Sequence, residues 1–165
     1  GYCVLEEEAL DKWNKEEVIE KIVYFYRLIK PHVIISKNTI LDEHCQHKAF
    51  ISLAMKAFDL SSNPESYPEM LENGLLPWQP LKFYQRDPKN EDGIFIDISE
   101  KDSASGRTYK EIALEALAQH QSQKLGEWAQ SQYISWPDKI YYQLSKTKTE
   151  REGSSIFSGI NKEDL

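Results

Sequence analysis

Two imidazoles three residues apart, in His44-Cys45-Gln46-His47, are the side chains of this chain best placed to do chemistry. Neutral imidazole is a common zinc ligand, and it exchanges protons near neutral pH. The segment follows the apolar run Val33-Ile34-Ile35 and precedes an apolar-periodic stretch from Ala49 to Phe58. That order predicts a strand-to-helix junction. Residues three apart share a helical face, so a helix that includes His44 turns both rings into one crevice. Crevices of this kind, at the carboxyl ends of strands in open α/β sheets, are where ligands bind. Cys45 points about 100 degrees away from His44 on a helix and is expected as a buried, inert thiol. His120 lies in the run Ala116 to Gln123. In a helix rich in Ala and Leu, a hydrogen-bonding structural role is the plainer reading for it.

The elements that must position these residues follow from periodicity. Asn14 is a good N-cap with Glu17 in capping-box spacing. Val18, Ile19, Ile22, Val23, Phe25, Tyr26 and Ile29 then give the helix a wide buried stripe. Pro31 ends it, and Val33 to Ile35 reads as a buried parallel strand. The next helix, to about Phe58, is expected to turn Phe50, Ile51, Leu53, Ala54, Met55, Ala57 and Phe58 inward. Residues 61–80 are rich in Ser, Asn, Pro and Gly, with a short helix at Pro68 to Asn73. Their apolar members Tyr67, Leu75, Leu76 and Trp78 favour an ordered loop that walls a substrate pocket. Strands are expected at Leu81 to Gln85 and Gly93 to Ile98, a loop at Asp102 to Gly106, and a helix from about Thr108 to beyond Gln123. From Trp128 the tail reads as aromatic, then polar.

A length of 165 residues suits one domain, and 40% apolar content supports a core. Acidic residues outnumber basic ones 27 to 20, for a formal charge of −7. A nucleic-acid partner, which calls for a concentrated basic face, is disfavoured. No apolar run reaches the roughly 18 residues of a membrane span. Two cysteines are too few to imply a disulfide framework, so a cytoplasmic setting is the default expectation.

Several segments, in order, resemble the PIG-L/LmbE-like family of zinc-dependent N-acetylglucosaminyl deacetylases. They are Arg27 to Ile35 followed by the histidine pair, Ser66 to Glu69 running through Gly74 to Tyr84, and the His-x-Ser-Gln run His120 to Gln123. Gly1-Tyr2 and Ser155 to Ile160 are weaker matches. The resemblance implies a Rossmann-like three-layer α/β fold over residues 1–165 as a single domain. It also implies a carboxyl-terminal portion, because the family's earlier His-Pro-Asp-Asp-like turn, with two zinc ligands and the carboxylate base, has no counterpart here. Carried over residue by residue, His47 is a ligand to Zn2+ or another divalent metal, and His44 is the acid that supports the tetrahedral intermediate. His120 and Gln123 become substrate or supporting contacts, as does Gln46, and Asp42 or Glu43 is the carboxylate that stands in beside His44 if the turn brings it close. The substrate implied is an N-acetylated amino-sugar conjugate. Gln46 stands where the family commonly has Asp, and a neutral amide can only hydrogen-bond. That departure favours an alternative, a metal-free carbohydrate-binding relative of the same fold. A fold without its first strands is expected to expose sheet edge and apolar surface, and so to self-associate as a homo-oligomer.

Overall fold

A computed structural model describes residues 3, 5–39, 44–91, 93–121, 125–132, 135–149 and 153–161. The chain divides into two compact units, Gly1–Asp87 with Tyr142–Leu165, and Pro88–Tyr141. In the first are α1 (Glu6–Lys12), α2 (Lys15–Ile29), β1 (Val33–Ser36), α3 (Cys45–Leu60), α4 (Pro68–Glu72) and β2 (Lys82–Arg86). In the second are β3 (Ile94–Asp97), α5 (Tyr109–Ala118) and α6 (Leu125–Gln132). The last strand, β4 (Lys139–Thr147), begins in the second unit and ends in the first. The strand order is β1-β2-β4-β3, with β1 parallel to β2 and β2 antiparallel to β4. The chain is therefore a mixed α/β protein with a mixed sheet.

The α2-β1-α3 order forms for the reasons read from sequence. The Asn14 side chain accepts the Glu17 N–H, and the helix closes at Lys30, whose φ of 54° ends the α-helical path before Pro31. Parallel pairing of β1 with β2 requires a crossover, and α3 lies on it. The core gathers Ile19, Ile22 and Val23 of α2, Ile51, Leu53, Ala54, Ala57 and Phe58 of α3, Met70, and Phe83 of β2. Phe58 and Phe83 meet edge to face with ring centroids 6.3 Å apart.

The buried stripe of α2 is narrower than its sequence suggests. Phe25 is 53% exposed, Ile29 68%, Ile35 of β1 41% and Phe50 of α3 43%. Only one flank of α2 packs into the core. Val18, Lys21, Ile22 and Phe25, spaced i, i+3, i+4 and i+7, line a groove, with Val18 and Ile22 shared between groove and core. Three further differences concern elements. α1 precedes the first expected helix, although it has few apolar residues. The helix expected to run beyond Gln123 stops at Ala118, where the Gln119 and His120 N–H groups tighten onto Ala116 and Leu117 carbonyls. The polar run Gln119-His120-Gln121 has no apolar face to bury, so nothing draws it on as helix. Residues 139–147, expected as a polar tail, are a strand.

Arg27 holds the first unit's longest loop. It is only 1% exposed. Its Nε donates to the Ser61 carbonyl at 3.1 Å, Nη1 to Tyr67 at 3.3 Å, and Nη2 to Asn63 and Ser66 at 2.8 Å each. Ser61 is the C-cap of α3, so the cation also meets the negative end of that helix. Burial pulls the guanidinium's pKa down, while Glu69 and Tyr67 oppose the shift. Trp78 closes the same loop, donating from Nε1 to the Pro31 carbonyl at 2.8 Å.

In the second unit α5 starts with a full capping box. Thr108 accepts the Glu111 N–H, and the Glu111 carboxylate returns to the Thr108 N–H at 2.8 Å. These bonds hold the Glu111 carboxyl below its ordinary value. Lys110 donates to the Trp136 carbonyl at 2.6 Å and to Asp138 at 3.0 Å. Lys139 lies 4.3 Å from the centre of the Phe95 ring.

Replacing Arg27 by Met should cost about 3–5 kcal/mol of stability, because the loop carbonyls lose a buried charged donor. Arg27→Lys should recover little of it, since an ammonium cannot span carbonyls that a planar fork reaches. Urea unfolding of the variants against wild type measures both.

Candidate functional site

The histidine pair sits where α3 begins. His44 is its N-cap, with φ −85° and ψ 119°, and its carbonyl accepts the His47 and Lys48 N–H groups at 3.0 and 3.2 Å. The helix therefore starts one residue later than a helix that includes His44. The two rings still come together, with centroids 5.1 Å apart and planes at 72°. His44 is exposed and His47 half-buried. Two imidazoles bound to one tetrahedral zinc, with Zn–N of about 2.0–2.1 Å, place their centroids about 5 Å apart. The observed spacing and angle are those of an edge-to-face ring pair, and the same distance is compatible with two rings on one ion. Among the described residues no group of three or more His, Cys, Asp or Glu converges.

Cys45 is buried, as expected, but it is not a thiol. It is bonded to Cys3, with Cα atoms 5.8 Å apart and a sequence separation of 42. In sequence Cys3 and Cys45 are too few to imply a disulfide, because neither carries a local signal; only the approach of α1 to α3 brings them together. Gln46 is half-buried, and its Oε1 lies 3.1 Å from Cys45 Sγ. A disulfide sulfur has no proton to give, so this is a packing contact. Asp42 and Glu43, the carboxylates nearest the pair in sequence, lie outside the described residues, as does Gln123.

Beyond the pair, α3 forms one wall of an apolar groove of about 550 Å³. Phe50, Ile51 and Ala54 of α3, Phe25 and Tyr26 of α2, and Ile34 to Lys37 at the end of β1 line it. His47, Phe50, Ile51 and Ala54 are spaced i, i+3, i+4 and i+7 on α3, and of these Phe50, Ile51 and Ala54 line the groove while His47 lies one turn before it. Burial pushes the Tyr26 phenol well above its usual range. The 61–80 loop does not wall this groove. Its Glu69, Met70, Asn73 and Leu75 border a second cavity of about 500 Å³, with Glu20, Lys21, Tyr24 and Phe25 of α2.

The remaining candidates are placed elsewhere. His120 is exposed at the end of α5 in the second unit, with Nδ1 3.1 Å from the Leu117 carbonyl. It has the local hydrogen bond that the plainer reading expected. His32 and Trp78 meet edge to face at 5.0 Å. With its N–H on Pro31, Trp78 is a packing residue of the turn into β1. Among the described residues no helix is long and apolar enough to cross a membrane. Comparison with known proteins gives no matching family model and no matching curated protein.

β1 lies at the end of the strand order, has no Pro or charged residue within it, and has the groove beside it. Such an edge invites pairing. Sedimentation velocity should show concentration-dependent association of the wild-type chain, and Ile35→Lys should shift it toward monomer. Equal distributions for the two proteins would remove β1 from the association.

Proposed function

We propose that this chain is the carboxyl-terminal portion of a PIG-L/LmbE-like, Rossmann-type deacetylase. The reaction is zinc-dependent hydrolysis of the acetyl amide of an N-acetylglucosamine-containing conjugate. The supporting observation is the meeting of His44 and His47 at the N-terminus of the helix that crosses over between two parallel strands. Ligand sites of open α/β sheets occupy such a place. The ordered sequence resemblance gives this location its chemistry.

In this reading His47 holds the metal at the first turn of α3. A bound zinc supplies a water of lowered pKa and polarises the amide carbonyl. His44, more exposed and at the N-cap of the same helix, is the acid of the pair in this reading. It steadies the tetrahedral intermediate and passes a proton to the leaving amine nitrogen. Gln46, packed on the disulfide, contributes a neutral hydrogen-bonding group. In the family that the chain resembles, the remaining ligands and the base come from a His-Pro-Asp-Asp-like turn. Asp42 and Glu43 are the carboxylates nearest in sequence to orient His44, and His120 and Gln123 remain substrate contacts by resemblance alone.

Gln46 in place of an acid supports the second reading, a relative that binds amino-sugar conjugates without metal. Zinc content and release of free amine from N-acetylglucosamine conjugates distinguish the two, measured on the full product of the reading frame and on its His47→Ala variant. Stoichiometric zinc with amine release, zinc occupancy falling at least tenfold and activity at least a hundredfold in the variant, is the expected result. Folded protein without zinc or activity that still binds the sugar would establish the binding relative instead.

A further inference from the structure

The Cys3–Cys45 bond joins the segment before α1 to the first residue of α3, between the two histidines. Its surroundings are thin. The buried cluster around it is Cys3, Ala9, Cys45 and Ala49, with Leu10 and Trp13 packed against its side. α1 is only seven residues long, has no side-chain cap, and buries Ala9 alone. A helix this short is not stable by itself. Leu10 and Trp13 also pack against the main core, and Ser52 Oγ of α3 donates to Glu6 at 2.6 Å. The cross-link is therefore the strongest tie between the two helices. It acts at the residue that sets the phase of the turn on which His44 and His47 meet.

Both sulfurs are shielded: Cys45 has no exposure and Cys3 has 7%. A Cα separation of 5.8 Å is within the ordinary range for a disulfide. Buried, ordinarily spaced disulfides are structural elements of proteins in oxidising compartments and are rare in reducing ones. We infer that this chain works in an oxidising compartment, where the closed Cys3–Cys45 bond is a positioning element for the histidine pair. This replaces the cytoplasmic setting expected from the low cysteine count, which took Cys45 as a thiol. The metal part of the inference rests on the proposed deacetylase reading; the structural part does not.

A dithiol reductant opens the bond by a balanced exchange. Two electrons and two protons pass to the protein, giving thiols at Cys3 and Cys45, and the dithiol closes to its cyclic disulfide. α1 then keeps its packing through Ala9, Leu10 and Trp13 and the Glu6 bond but loses its covalent tie, and the first turn of α3 frays.

Alkylation with iodoacetamide of denatured protein, taken from the cells that make it and given no reductant, tests the compartment. No addition at either cysteine is expected, and two additions after reduction; two additions without reductant would overturn the inference. Amide hydrogen exchange tests the positioning role on the full reading-frame product, comparing wild type with Cys3→Ala. Exchange across residues 44–50 should accelerate at least tenfold, with β2 much less affected, and the thermal midpoint should fall by roughly 10 °C. Unchanged exchange at 44–50 would overturn the role. Should Cys3→Ala fail to fold, wild type with and without dithiol gives the same comparison. Zinc affinity should fall about tenfold in the variant. Absent zinc binding with accelerated exchange would reject the metal reading and leave the positioning role standing.

Discussion

The buried guanidinium of Arg27 is the interaction on which the first unit depends. Loops between a helix and a strand ordinarily run over the surface, where water satisfies their carbonyls. Here the Ser61, Asn63, Ser66 and Tyr67 carbonyls turn inward onto one side chain of α2. The planar fork of Arg matches such a convergence, and the charge makes each bond stronger than a neutral one. The cost of burying the charge is offset only while the carbonyls stay in place, so helix and loop are ordered together. Because Ser61 is also the last cap of α3, the same group fixes the far end of the helix that begins with the histidines.

α3 is thus held at both ends by partners distant in sequence. At its start Cys45 is bonded to Cys3, and at its end the Ser61 carbonyl is bonded to Arg27. Between them, Ile51, Leu53, Ala54, Ala57 and Phe58 are buried against α2 and β2. A rigid helix fixed at both ends presents its first turn in a defined place, which a pair of side chains needs if it is to bind one ion or one substrate. The groove runs along the same helix, so its apolar wall and its polar head are one mechanical piece.

Much of this was legible in the residues. Asn14 and Glu17 marked a helix start, Pro31 its end, and Val33 to Ile35 a parallel strand, because caps, breakers and β-branched runs are local signals. Pro68 and Thr108 marked two further helix starts in the same way. The histidine pair was legible because a spacing of three survives whatever the fold does. What failed was non-local. Phe25 and Phe50 have core-forming side chains, yet they face a groove, since periodicity shows which residues share a face and not what covers it. α1 offered one buried Ala and no stripe. β4 carried the alternation Ile140, Tyr142, Leu144, but charged and amide neighbours masked it until β2 supplied a partner. Cys3 and Cys45 gave no sequence signal because pairing across 42 residues is set by three-dimensional approach alone.

The helix starts also differ in electrostatics. Every α-helix named above except α3 has an acidic residue in its first turn: Glu6 to Glu8 in α1, Glu16 and Glu17 in α2, Glu69 in α4, Glu111 in α5 and Glu127 in α6. Those carboxylates complement the positive end of the backbone dipole and stabilise their helices locally. α3 has none there and begins with imidazoles instead. Its stability must come from its ends and its core, which the disulfide, Arg27 and Phe58 supply. In exchange, no carboxylate in its own first turn opposes negative charge that develops beside His44 and His47. Hydrolysis of an amide develops such charge on the former carbonyl oxygen, where a fixed positive dipole lowers the barrier without reorganising. In the proposed deacetylase reading, a first turn without acids gives up local helix stability and leaves the positive end of α3 open to an oxyanion.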